Sequence, residues 1–198
     1  MQDIDQQNIT DLILNISVIN YKGGINMDIL CVIDMQNDFL SGALRNEQAI
    51  AIEDSVADYI KNFNGKVFAT KDTHQADYLN SREGKNLPVE HCIEGTWGHQ
   101  ITDKVTEALN SKNDLTIINK DTFGSKKLAT KIAEISDIDK IVIIGVCTDI
   151  CVISNAMTIR AFNPEIPIYI VENLCAGVTK ESHQTAINAM KGCQFIVI

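Results

Sequence analysis

The chain has no excess of positive charge. Among its 198 residues, 17 Lys and Arg stand against 26 Asp and Glu, a formal charge of −9, with a pI near 4.8. That balance argues against a nucleic-acid surface. No apolar run approaches the length of a membrane span, so no membrane partner is expected. An export signal is missing too. The mildly apolar stretch at 12–19 is preceded by Asp3, Asp5 and Asp11 and by no Lys or Arg. The six cysteines (Cys31, Cys92, Cys147, Cys151, Cys175 and Cys193) have no framework spacing. Cys147 and Cys151 are separated by three residues rather than two, which removes the redox-dithiol and zinc-pair readings. Reduced thiols without an export signal predict a cytoplasmic protein. There is no internal repeat and no low-complexity segment. What remains is ordinary for a globular chain, 45% apolar and 22% charged, and long enough for one α/β domain with a substantial core.

The residues before Met27 read differently from the rest. Lys22-Gly23-Gly24 is encodable, in an A/T-rich bacterial gene, by a sequence containing a ribosome-binding site at a suitable distance before the Met27 codon. Residues 1–26 are therefore read as a leader or non-native extension, and 27–198 as a single domain. The alternative is an arm that packs on a neighbouring subunit.

From residue 28 onward, strand and helix patterns alternate. Apolar runs at 29–33, 66–70, 115–119, 141–144, 167–171 and 195–198 read as strands. Between them lie helical periodicities over about 46–63, 99–110, 125–135, from about 151, and 180–191. A long polar connection spans roughly 71–98, and loops of that length inside a compact domain are usually functional. Six strands alternating with helices predict a doubly wound, six-stranded parallel sheet with helices on both faces. Ligands of such sheets bind beyond the C-terminal strand ends.

Three of those ends carry reactive residue types. The first leads to Asp34, the third to Lys120, and the fourth through Gly145-Val146-Cys147-Thr148-Asp149-Ile150 to Cys151. A cysteine at the start of a helix sits where backbone N–H groups and the helix dipole favour a thiolate. Taken singly, Asp34 reads as a turn cap, Lys120 as a solvated strand end and Cys151 as an inert core thiol. Asp38 is read as structural. Together, at matching strand ends, Asp34, Lys120 and Cys151 suggest nucleophilic catalysis, since a carboxylate can take the thiol proton and an ammonium can stabilise the resulting charges.

Val32-Ile33-Asp34-Met35-Gln36-Asn37-Asp38-Phe39, Lys120 and the Gly145–Cys151 segment resemble the isochorismatase-like cysteine hydrolase family, which includes nicotinamidases. The resemblance runs in order over about 28–198. It implies that fold, an Asp34-Lys120-Cys151 triad, and a cis peptide between Val146 and Cys147. It also implies an oxyanion hole from the N–H groups of Cys147 and Cys151. Cys151 separates the chain from family members that cleave a vinyl ether without a cysteine. It favours C–N hydrolysis of a small amide through a thioester, with nicotinamide as the leading substrate. A ureido or N-carbamoyl compound is the alternative, as is a non-catalytic ligand or redox sensor. The family commonly forms oligomers, so a homo-oligomer is expected.

Asp72, His74 and the later His91 resemble the metal site of nicotinamidases, whose ligand types suit zinc, manganese or iron. No organic cofactor is implied. The family's further His, six residues after the first, is Asn80 here, leaving Glu83 or water to complete the shell. The aromatic residue often found before the Pro-His-Cys segment is absent from Leu87-Pro88-Val89-Glu90-His91-Cys92. Phe39 and Phe123 are the candidates for the pocket walls. Trp97 either packs near them or anchors the fold, and Tyr78 either closes the loop over the site or points to solvent.

Overall fold

The computed structural model describes residues 27–198; the reading of residues 1–26 as a leader lies outside them. Met27–Ile33 forms β1 and Lys66–Asp72 forms β2. Leu115–Lys120 forms β3, Ile138–Val146 β4, Ile168–Ala176 β5 and Ile196–Val197 β6. All pair in parallel, in the order β3-β2-β1-β4-β5-β6, as the strand-helix alternation predicts.

Alternation along the strands separates two cores. Leu30, Val32, Val67, Ala69, Val142 and Ile144 face one side. There they meet Ala49, Val56 and Ile60 of α2 (Glu47–Asn62) and Val105, Ala108 and Leu109 of α4 (Asp103–Asn110). Ile29, Cys31, Ile33, Phe68 and Ile118 face the other side. They meet α5 (Lys126–Ala133), α6 (Ile153–Phe162) and α7 (Lys180–Gly192). The helix starts are capped as their sequences suggest. Asn46 accepts from the N–H of Gln48 and Ala49, Ser125 accepts from Leu128, and Thr179 forms a reciprocal box with Ser182. No helix among the described residues is long and apolar enough to cross a membrane.

Two stretches differ from the sequence reading. The long connection is not structureless. After β2 it forms a short 3-10 turn at Tyr78–Asn80 and the helix α3, Arg82–Asn86. It then returns to bridge His74 with Ile93. A further short helix, α1, spans Asn37–Leu40. The helix expected from about Cys151 begins instead as one wide turn, Thr148–Val152, in which the Val152 N–H reaches the Cys147 carbonyl five residues back at 3.0 Å. Ordinary α-helical bonding resumes at Ile153.

The strand order reverses between β1 and β4, and this is where the C-terminal ends diverge to leave a crevice. Gly145 stands opposite Ile33 there with φ +118. A Cβ at that position would collide with the Ile33 backbone, so only glycine lets β4 run this close to the end of β1.

Candidate active site

β1 delivers Asp34 to the crevice. The residue is fully buried with φ +48, a left-handed conformation that Asp tolerates better than most side chains. The Thr70 hydroxyl, one strand away, donates to Asp34 Oδ1 at 2.6 Å and accepts from the Asp34 N–H at 3.2 Å. Lys120, the last residue of β3, is level with Asp72 in the sheet. Its Nζ lies 2.7 Å from Asp34 Oδ2, 3.1 Å from Asp72 Oδ1 and 3.5 Å from Cys151 Sγ. The Cys151 thiol also meets the Asp34 carboxylate. The three residues singled out at separate strand ends thus form one buried cluster. The Val146–Cys147 peptide is cis, as the resemblance implied.

The electrostatics correct one expectation. The helix-start position suggested a thiolate at Cys151, but burial, and then the negative charge of Asp34, push the thiol well above its usual range. Desolvation outweighs the few N–H dipoles of the turn, so the resting group is a neutral thiol. Burial also raises Asp34, against the pull of Lys120. For Lys120 burial alone would lower the pKa. Asp34, Cys151 and Asp72 reverse that and hold it well above the ordinary lysine range, so it stays a cation.

The other oxygen of Asp72 belongs to a second cluster. Asp72 Oδ2 is 2.9 Å from His74 Nε2 and 3.7 Å from His91 Nε2, and Glu83 Oε1 is 3.7 Å from each imidazole nitrogen. The four ligand atoms lie within 4.8 Å of one another. Ligands at about 2.0–2.2 Å from a zinc ion stand roughly 3–3.5 Å apart; four of these pairs, at 2.9–3.7 Å, come close to that, and the others are wider, up to 4.8 Å. His91 Nδ1 lies 2.8 Å from the Val89 carbonyl, which can only accept; the ring proton is therefore on Nδ1, and Nε2 of the neutral ring offers a lone pair. Glu83 is held above the usual carboxylate range, by burial first and then by the negative charge of Asp72. These residues can hold a metal ion. Asn80 is exposed on the 3-10 turn and takes no part; Glu83, from the first turn of α3, joins the group.

Both clusters open into one cleft of about 1280 Å³. Phe39 and Phe123 line it as expected, Phe39 with its ring 5.8 Å from that of His91 and Phe123 at the exposed side. Tyr78 neither closes over the cleft nor points to solvent. It is buried against His74 and His91, with ring centroids 4.6 and 5.0 Å away, and its hydroxyl donates to the Leu87 carbonyl at 2.9 Å. Trp97 does not line the cleft and is 62% exposed, so it is neither wall nor anchor. Asp38 is structural, accepting from the N–H groups of Ala43 and Cys92.

Three contributors escaped the sequence reading. Thr70 looked like any strand threonine. Gln36 spans the ends of β1 and β2, with Nε2 donating to the Asp72 carbonyl and Oε1 accepting from the Asp72 N–H. Asn155 is fully buried. It donates to the carbonyls of Phe123 and Cys151 and accepts from the Ser125 N–H, so it ties the loop after Lys120 to the nucleophile turn. Gln36 was legible in part, lying inside the first strand-end motif; Asn155 carried no signal.

Comparison with known proteins agrees with this geometry. The nicotinamidase of Schizosaccharomyces pombe is 25% identical over 204 aligned positions, covering 85% of this chain and 91% of its own. The nicotinamidase/pyrazinamidase of Bacillus subtilis superposes with a TM-score of 0.76 at 28% identity, over 86% of this chain and 98% of that one. The pyrazinamidase of Pyrococcus horikoshii, solved in complex with zinc, gives 0.73 at 26% identity, over 87% and 98%. The model of the isochorismatase domain matches residues 28–198, every described residue but Met27. The chain belongs to the isochorismatase family.

Proposed function

We propose that the protein is a cysteine amidohydrolase that cleaves nicotinamide to nicotinate and ammonia through a thioester. The observation that carries this reading is the shared carboxylate of Asp72. One oxygen pairs with Lys120 beside Asp34 and Cys151, and the other faces His74 and His91. A nucleophile and a site for a ring-nitrogen-binding cation therefore stand side by side in one cleft.

Asp34 takes the thiol proton as Cys151 Sγ attacks the amide carbon. Lys120 remains protonated and offsets the negative charge as it passes from the Asp34 carboxylate to the sulfur that attacks. The N–H groups of Cys147 and Cys151 receive the oxyanion. Collapse of the tetrahedral adduct breaks the C–N bond, and Asp34 returns the proton to the leaving nitrogen, releasing ammonia. Asp34 then draws a proton from water, which cleaves the thioester and frees the acid and the thiol. Asp72, His74, Glu83 and His91 would hold a divalent ion, with zinc ahead of manganese or iron. When bound, that ion supplies a Lewis acid for the pyridine nitrogen. The same reading carries a homo-oligomer in the cytoplasm, which light scattering and cell fractionation test.

The direct test is ammonia release from nicotinamide by the purified protein, with and without added zinc, and with Cys151→Ala as control. Metal-stimulated release that falls at least about a thousandfold in the variant is the expected result. Release undiminished in Cys151→Ala would overturn the assignment of the nucleophile. No release from nicotinamide by the metal-loaded protein would overturn the substrate.

A further inference from the structure

Two buried asparagines stand at the two ends of α6, and they are bonded differently. Asn163, just past its last residue, donates to the Ile159 carbonyl four residues back at 3.0 Å. Asn155, in its first turn, makes the matching bond to the Cys151 carbonyl at 2.8 Å. It then makes two more, outside the helix. Its amide nitrogen also donates to the Phe123 carbonyl, and its oxygen accepts from the Ser125 N–H, both at 2.9 Å. Two donor hydrogens and one acceptor oxygen thus all meet main chain. Asp has the oxygen without the donors, and Leu has neither.

The loop after β3 is pressed onto the same helix between those two bonds. A Cβ at Gly124 would stand 2.7 Å from Thr158 Oγ1 and 2.8 Å from the Ser154 carbonyl oxygen, too close for both to stay in place. Phe123 and Cys151 line one cleft. One buried amide therefore holds the main chain of a cleft wall and the main chain of the nucleophile, and losing it leaves buried polar groups unpaired on both sides. We infer that Asn155 is a positioning residue: it fixes the Phe123 wall relative to Cys151, so that an amide held in the cleft meets Sγ in line for attack. The inference rests on the amidohydrolase reading and adds a residue to it.

The test compares Asn155→Ala with Asn163→Ala, assayed by ammonia release from nicotinamide well below both melting temperatures. Each variant loses a buried bond and should melt earlier. Only Asn155→Ala should lose turnover, about a hundredfold in kcat, the cost of a misplacement of roughly 1 Å. KM should stay within about threefold. The acid limb of the pH–rate profile should not move, because Asn155 bonds neither Asp34 nor Lys120. A kcat within about threefold of wild type, a loss confined to KM, or a shifted acid limb would each overturn the inference. So would an equal fall in Asn163→Ala, since activity would then only follow stability. If Asn155→Ala does not fold, Gly124→Ala decides, by lifting the loop from α6 with Asn155 intact. The same fall is expected, and wild-type kinetics would overturn the proposal. If the wild type releases no ammonia, the substrate reading fails, and the variants are compared on p-nitrophenyl acetate. That ester acylates a nucleophilic cysteine and releases nitrophenolate, with the same fall expected in Asn155→Ala. A wild type that is not acylated at Cys151 removes the nucleophile, and this inference with it.

Discussion

The two ends of the sheet use the same residue types to opposite effect. At the N-terminal end, Lys140 pairs with Asp28 at 3.0 Å and Lys66 with Asp114, all four side chains partly exposed. At the C-terminal end, Lys120 pairs with Asp34 and Asp72, whose side chains are 0% and 4% exposed, its own being 1%. Water solvates the first set, so each pair contributes little and each member can be lost without leaving a buried charge. The second set has no water to fall back on, and each charge there depends on the others. The fold tolerates that cost where the strand ends diverge, and the same desolvation raises the Asp34 carboxyl and keeps Cys151 a neutral thiol.

Removing the central cation should break the contrast most strongly. Lys120→Met leaves two buried carboxylates facing each other, a loss of about 3–5 kcal/mol. In a chain of this size that lowers the melting temperature by roughly 10 °C or more. Ammonia release should fall at least about a thousandfold, since the base loses its counter-charge. Adding Asp34→Asn should recover part of the melting temperature and none of the activity. A melting curve unchanged by Lys120→Met would show that the cluster is solvated after all.

Glu83→Gln sharpens the comparison on the metal side. The substitution keeps the size of the side chain and removes one negative charge from the four-residue group, so zinc affinity in equilibrium dialysis should drop about 10–100-fold. An unchanged affinity would place the fourth ligand elsewhere.

Thr70→Val tests how finely the base is held. The hydroxyl donates to the ionised carboxylate, which lowers the Asp34 pKa against the raising effect of burial. Lys120 also lowers it, while Asp72 raises it; they reach Asp34 from the ends of β3 and β2, with Cys151 across the crevice. Without the hydroxyl the pKa rises further. Because Asp34 must be ionised to accept the thiol proton, the acid limb of the pH–rate profile should move to higher pH. kcat/KM near neutrality should fall about tenfold, the worth of one hydrogen bond to a charged group. Thr70→Ser should restore both. A profile that does not move would assign Thr70 to packing alone.

Much of the catalytic end was legible because it is built from strand termini. Apolar runs locate the strands, and the residues just beyond them, Asp34, Lys120 and Cys151, are then forced toward one edge by the parallel topology. The closeness of Asp72 and His74 was legible for the same reason, with Asp72 closing β2 and His74 two residues on. What was hidden depends on burial or on distant partners. Thr70 is an ordinary strand residue until its hydroxyl is seen on Asp34. Asn155 gains its role only when α6 meets the loop after β3. Tyr78 lies in a polar stretch, yet the chain folds back over it through the His74–Ile93 bridge. The charge state of Cys151 was misread because a helix start is visible in sequence and the desolvation of its thiol is not.

The smallest effect is expected at the far end, and it is what gives the comparison its meaning. Lys140→Met removes a charge from a pair that water already solvates, with Lys140 and Asp28 side chains 39% and 27% exposed. The expected loss is at most about 1 kcal/mol, or roughly 2–4 °C in melting temperature, with kcat/KM unaltered. Raising the salt concentration should shrink even this difference, since exposed pairs are screened over about a Debye length, ~8 Å at physiological ionic strength. The Lys120 variant's deficit should largely persist at the same salt, because the Lys120 and Asp34 side chains, 1% and 0% exposed, are screened far less than an exposed pair. If salt erased both deficits alike, the two ends of the sheet would differ in sequence position only, and the burial of Asp34 would no longer explain its chemistry.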